Sequence, residues 1–242
     1  MSDAQCVWLI TGSNRPSGIG FEMTKQLLAK SSSNITIAGC RDPSKATALN
    51  ALAEANQGRV HVVQLDIADR KSVNDSVQKV MSALGDKGID YLVNNAAIIE
   101  GGEDTAFSMD LDVLERTFRV NVSGTAHVSQ AYLPLLEKGA KKTIVNVSST
   151  AGSIGFDLGP AYASYAISKC ALNMLTYKQA KERPDFTVIS LCPGHLKTDM
   201  GGPARATTEV SVGVAGLLQV VHALKPEDSG RFLSYDGVLR PW

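Results

Sequence analysis

Little in this chain is extreme, and each shortage removes a class of function. Lysines plus arginines number 24, and so do aspartates plus glutamates, which leaves no net charge at neutral pH. A balanced chain has no electrostatic reason to seek nucleic acid or an anionic membrane. Cysteine is scarce: the 242 residues hold Cys6, Cys40, Cys170 and Cys192. They form no C-x-x-C, and His61, His127, His195 and His222 are scattered without ligand spacing. Four buried thiols in a reducing compartment are expected, and no metal site. No apolar run is long enough to span a bilayer. The first residues lack a basic start, an apolar stretch and a small-residue cleavage site, so the expected address is cytoplasmic. No linker, repeat or charge block divides the chain, so one domain over 1–242 is expected.

What is present is an alternation. Short runs rich in Val and Ile, namely "CVWLIT", "NITIAGC", "RVHVVQLD", "DYLVNNA", "TIVNVSS", "FTVISLCP" and "RFLSYD", are separated by longer helical segments. One of those segments runs unbroken from Leu111 to Lys138. Near-continuous apolar strands alternating with helices predict an α/β fold. About seven parallel strands form a doubly wound sheet with helices on both faces. In such sheets a ligand sits at the carboxyl ends of the strands. The residues just after each strand should therefore converge.

The first strand runs into "TGSNRPSGIG", Thr11 to Gly20. Glycines let a backbone turn tightly and approach a pyrophosphate, and a helix start offers free amides and a positive dipole end. Gly12, Gly18 and Gly20 are the candidates, with Asn14, Arg15 and Ile19 among them. The required context, a strand before and a helix after, is met. An acid at the end of the second strand would bind the ribose hydroxyls of NAD. Here Cys40 holds the tip and Arg41 follows. Arg15 and Arg41 suit a 2′-phosphate, which arginine grips in fork geometry. Asp42 is placed beyond the strand, capping the segment that begins near Pro43. The expected cofactor is NADPH.

Further along, "SYAISKCALNML" sets Tyr165 and Lys169 four apart on a helical segment, so they share one face. A nearby ammonium favours the phenolate, which predicts a lowered pKa for Tyr165 and a proton handed to a carbonyl oxygen. The segments "TG…GIG", "LDIAD", "LVNNAA", "RVNVSG", "IVNVSSTAG", "YAISK" and "CPGHLKTDMGG" follow one another in order. Together they resemble the short-chain dehydrogenase/reductase family, over nearly the whole chain. The tail "SGRFLSYDGVLRPW" is similar to the subgroup of Sniffer and C-factor-like carbonyl reductases.

That resemblance implies a single-domain Rossmann fold and an NADPH-dependent reduction of a ketone or aldehyde. It makes Tyr165 the acid, with Lys169 lowering its pKa and binding the nicotinamide ribose. It makes Ser149, rather than Ser148, the serine that orients the carbonyl. Asn121 becomes the asparagine that holds a helix water of a proton relay. Asp66 and Ile67 should flank adenine, and Asn95 and Ala96, after Asn94, should run beside the cofactor. Pro193, Gly194 and Thr198 should hold the carboxamide. Two departures stand out: Ala97 replaces a glycine of the family, and Pro16-Ser17 lengthens the glycine turn.

The stretch 195–208 is short, so a small lid is expected. Candidate walls are Ile98, Ile99, Ser153, Ile154, Phe156, Tyr162, His195 and Met200, which favour a small hydrophobic or aromatic carbonyl substrate. Tyr162 and Lys169 also match the Tyr-x-x-x-x-x-x-Lys spacing of enoyl-thioester reductases of the same superfamily. Ser149 and Asn121 favour the carbonyl reductase. A non-enzymatic NADPH-binding regulator on the same fold is a third reading. The helices near 118–139 and 162–182 resemble those that form homodimers in the family.

Overall fold

A computed structural model describes residues 5–202, 204 and 206–242. Seven parallel strands form one sheet: β1 (Val7–Thr11), β2 (Ile35–Cys40), β3 (Val60–Gln64), β4 (Tyr91–Asn94), β5 (Thr143–Val147), β6 (Thr187–Cys192) and β7 (Phe232–Ser234). Their order is β3-β2-β1-β4-β5-β6-β7. The helices are α1 (Ile19–Lys30), α2 (Thr47–Glu54), α3 (Arg70–Leu84), α4 (Leu111–Phe118), α5 (Thr125–Glu137), α6 (Ala163–Glu182) and α7 (Val210–Ala223).

Strand side chains alternate between faces, and β1 shows how the core divides. Val7 and Leu9 pack with α3 and α5 residues such as Val80 and Leu135. Trp8 and Ile10 pack on the opposite face, with Met23 and Leu27 of α1 and Leu217 of α7. Both faces are thus covered, which is why the strands read as unbroken apolar runs. The order reverses at β1, between β2 and β4, and the carboxyl ends of those strands open a crevice there.

Two expectations change. The segment 111–138 is not one helix: a π-helical turn, Arg119–Gly124, separates α4 from α5. Such turns hold one extra residue per turn and occur often at functional sites. Only Cys40 and Cys192 are buried, while Cys6 and Cys170 are partly exposed, because they sit where a strand begins and on a half-covered helix face. The expected lid, 195–208, is described except for Pro203 and Arg205, which lie outside the described residues.

Candidate active site

The glycine turn occupies the crevice as the sequence requires. Gly12 has φ +72°, and a Cβ there would sit 3.0 Å from the Ala96 Cα. A Cβ on Gly20 would sit 2.7 Å from the Gly12 carbonyl oxygen, so glycine is what lets α1 approach β1. Gly18 is the N-cap of α1 and supplies no side-chain cap. The first amides of that helix are therefore left for a ligand, and the dipole end favours an anion. Asn95 ties the turn to the end of β4. Its side-chain amide donates to the carbonyl oxygens of Thr11, at 2.8 Å, and Gly12, at 3.2 Å. The Thr11 hydroxyl accepts from the Asn95 and Ala96 amides.

In the inserted pair Pro16 is exposed, whereas Ser17 lines the cleft. The Gly18 amide donates to the Arg15 carbonyl, 2.8 Å, closing a tight turn with Pro16 and Ser17 at its tip. Proline favours the second position of such turns. Arg15 still lines the cleft, together with Gly12, Asn14, Gly18 and Ile19. Arg41 lines it from the end of β2, beside Cys40. Asp42 turns away: it caps a short 3-10 turn, accepting from the Ser44 amide, and pairs with Lys45 at 3.2 Å. Asp66, Ile67, Asn95, Ala96, Ala97, Ile98, Pro193, Thr198 and Met200 also line it, and Ser17, Leu65, Ala68, Val120, Val147, Ser148 and Asp199 join them unforeseen. Ala97 fits without a left-handed backbone.

Gly20 and Gly194 do not line the cleft. Gly20 is a packing residue. Gly194 has φ +83° and would drive a Cβ to 2.8 Å from the Tyr235 ring, so its role is the turn after β6.

Tyr165 and Lys169 stand on the first turns of α6 and both line the cleft. The Lys169 ammonium lies 5.6 Å from the Tyr165 ring centroid and donates to the Val147 carbonyl at 2.8 Å. Burial pulls its pKa down to about 8, against the opposing pull of Cys192. The phenol moves the other way from the expectation. Burial first, then the charge of Cys192, pushes Tyr165 well above the usual tyrosine value, and only a hydrogen bond with Ser149 lowers it. Lys169 is not among the groups that shift it. The Ser149 hydroxyl also accepts from the Ala151 amide at 3.1 Å. Ser148 donates to Asn173 at 2.6 Å and also lines the cleft, which Ser149 does not. The choice of Ser149 over Ser148 therefore rests on the resemblance and on the hydrogen bond between Ser149 and Tyr165.

Asn121 is buried in the π turn and does not face the cleft. Its side chain accepts from the Ile98 amide and donates to the Ile98 carbonyl, both 2.9 Å, and donates to Ser168 at 3.0 Å. It bridges the segment after β4 to α6, so it is a positioning residue.

Six expected walls fall outside the cleft, namely Ile99, Ser153, Ile154, Phe156, Tyr162 and His195. Ile154 is 86% exposed, because its neighbours Ser153 and Gly155 are held from behind by the carbonyls of Pro241 and Trp242. The His195 ring is turned to the Gly201 carbonyl, 2.7 Å, within its own loop. Tyr162 precedes α6 in a left-handed conformation, φ 61°, with its hydroxyl 3.4 Å from Glu103 and outside the cleft. A bulky residue in that region is strained. Asp104 holds the junction: its carbonyl accepts from the Ala163 amide at 3.1 Å, and its carboxylate accepts from the Ser164 hydroxyl and amide. Asp104 thus caps the helix that carries Tyr165. No motif marks it, since its partners are about 60 residues away.

Known proteins are similar to this chain over most of its length. The family model for short chain dehydrogenases matches residues 6–209. An uncharacterized oxidoreductase of Schizosaccharomyces pombe is 32% identical over 100% of both chains. The NADPH-bound carbonyl reductase from chicken fatty liver superposes with TM-score 0.88 at 34% identity, covering 99% of this chain and 100% of that one. The Drosophila melanogaster carbonyl reductase Sniffer gives TM-score 0.92 at 28% identity, with the same coverage. A glycine turn at the switch point, a tyrosine and lysine one turn apart and a family model spanning most of the sequence agree: this chain belongs to the short chain dehydrogenase family of oxidoreductases.

Proposed function

We propose that the chain is an NADPH-dependent carbonyl reductase. The observation that carries this reading is the Tyr165 phenol, held against Ser149 with Lys169 behind it, in the same cleft as the glycine turn. Free amides at the start of α1 would hold the pyrophosphate, and Arg15 and Arg41 would hold the 2′-phosphate. The similarity to an NADPH-bound carbonyl reductase supports the same cofactor. When bound, the nicotinamide supplies hydride.

The protein's own part is to orient and to protonate. Ser149 donates a hydrogen bond to the substrate oxygen. Tyr165 gives its proton to that oxygen as negative charge develops there. A phenol that burial keeps protonated is the form a reductase needs. Lys169, with a pKa near 8, is an ammonium at neutral pH and would bind the nicotinamide ribose. Asn121 and Asp104 keep α6 in register with the loop after β4.

Ile98 and Met200 would face a small hydrophobic or aromatic carbonyl compound, with 195–208 as lid. A homodimer through α4–α5 and α6 is supported by Phe118, Ile167, Met174 and Tyr177, which stay exposed on those helices. No helix among the described residues is long and apolar enough to cross a membrane, and a cytoplasmic location is part of the proposal. NADPH oxidation against ketones, aldehydes, quinones and 2-enoyl thioesters tests it. Turnover of carbonyls supports the reading. Turnover of enoyl thioesters alone would transfer it to the enoyl reductases, against which the placement of Tyr162 counts. Tight NADPH binding with no turnover on any of them would favour a regulator.

A further inference from the structure

One of the two inserted residues, Ser17, makes a contact that reaches the loop after β6. The Ser17 hydroxyl at the tip of the turn donates to the Asp199 carboxylate, 3.0 Å, across 182 residues of sequence. Asp199 lies on the loop after β6, next to Thr198, and both Ser17 and Asp199 line the cleft. The base of that loop is fixed independently. Lys197 donates to the Thr208 carbonyl at 3.0 Å, Thr208 donates to the His195 carbonyl at 3.3 Å, and Gly201 donates to the Thr198 hydroxyl at 3.0 Å. Its outer edge meets the opposite wall of the cleft through Ser17.

Charge makes the pairing more than incidental. Asp199 is an acid on the rim of a cleft whose other wall is the free helix start, a place suited to phosphates. A carboxylate there repels a bound pyrophosphate unless something holds it at the rim. Ser17 does so with a charge-assisted hydrogen bond.

We infer that Pro16-Ser17 and Asp199 form a clasp that closes the phosphate end of the cleft and sets how long NADPH stays bound. The inference rests on the cofactor reading above, and the experiment separates the two. Wild-type protein is loaded with NADPH and mixed rapidly with excess NADP+, and the fall of NADPH fluorescence gives the dissociation rate. Ser17→Ala and Asp199→Ala should each raise that rate about three- to tenfold, the range of one hydrogen bond. Deleting Pro16 and Ser17 should do the same. The double variant should be no faster than the faster single, because one contact is lost only once. Ser17→Thr and Asp199→Asn, which keep a donor and an acceptor, should restore slow release. A purely structural defect would not be rescued in this pattern. Wild-type dissociation rates in both alanine variants, or effects that multiply in the double variant, would overturn the clasp and leave the cofactor reading intact. Failure of the wild-type protein to bind NADPH would overturn both.

Discussion

Lys169 is costly to keep charged, and that cost can be measured. Its side chain is 2% exposed, and burial lowers its pKa from 10.5 to about 8. At about 1.36 kcal/mol per pH unit, holding the ammonium in the folded state costs about 3 kcal/mol. The sign follows from linkage. Below about pH 8 the lysine is charged in both folded and unfolded chains, and the full cost applies. Between about 8 and 10.5 the unfolded chain binds more protons than the folded one, so stability rises with pH. Above 10.5 both forms are neutral and the cost is gone. Lys169→Met removes the charge and the hydrogen bond to Val147, which is worth about 1 kcal/mol. The variant should therefore be about 2 kcal/mol more stable than wild type at pH 7. It should lose that advantage as pH climbs through 8 to 10.5. Urea unfolding of the cofactor-free proteins at a series of pH values reads the difference directly, since all other titrating groups are shared. A variant that is less stable than wild type at pH 7, or a gap independent of pH, would refute the reasoning. The same substitution should abolish turnover, a trade of stability against function.

Tyr165→Phe should lower kcat by about 10²- to 10⁴-fold with NADPH affinity nearly unchanged, while Tyr162→Phe should do far less; steady-state kinetics and fluorescence titration decide, and the reverse ranking would sink the assignment. Arg41→Ala should raise the KM for NADPH about tenfold or more and leave NADH almost untouched, with a smaller loss for Arg15→Ala; equal efficiency of the wild type with both cofactors would mean that the arginines do not read the 2′-phosphate. Asp104→Ala should cost about 1 kcal/mol of stability and reduce kcat, with Asp104→Asn close to wild type, because a neutral oxygen still caps α6; denaturant melts and turnover in parallel check it, and an alanine variant equal to wild type would contradict the cap.

The sequence by itself determined the strand and helix order, the sheet's two-sided burial and the position of the cleft. Each of these depends on local pattern: apolar runs such as "TIVNV", glycines at a strand end, and a tyrosine and lysine one helical turn apart. It also sent Asp42 to its capping role. Tertiary structure alone decided what depends on partners far apart in the chain. The direction of the Tyr165 pKa is one case: spacing put an ammonium nearby, but burial outweighed it. Asn121 is another, since only folding brings Ile98 to its side chain. Ile154, His195 and Tyr162 were apolar or aromatic residues near the right segments, yet Trp242, Gly201 and Glu103 drew their loops elsewhere. Asp104 and the pairing of Ser17 with Asp199 left no local trace, because a hydrogen bond across 60 or 182 residues imposes no periodicity on either partner's neighbours.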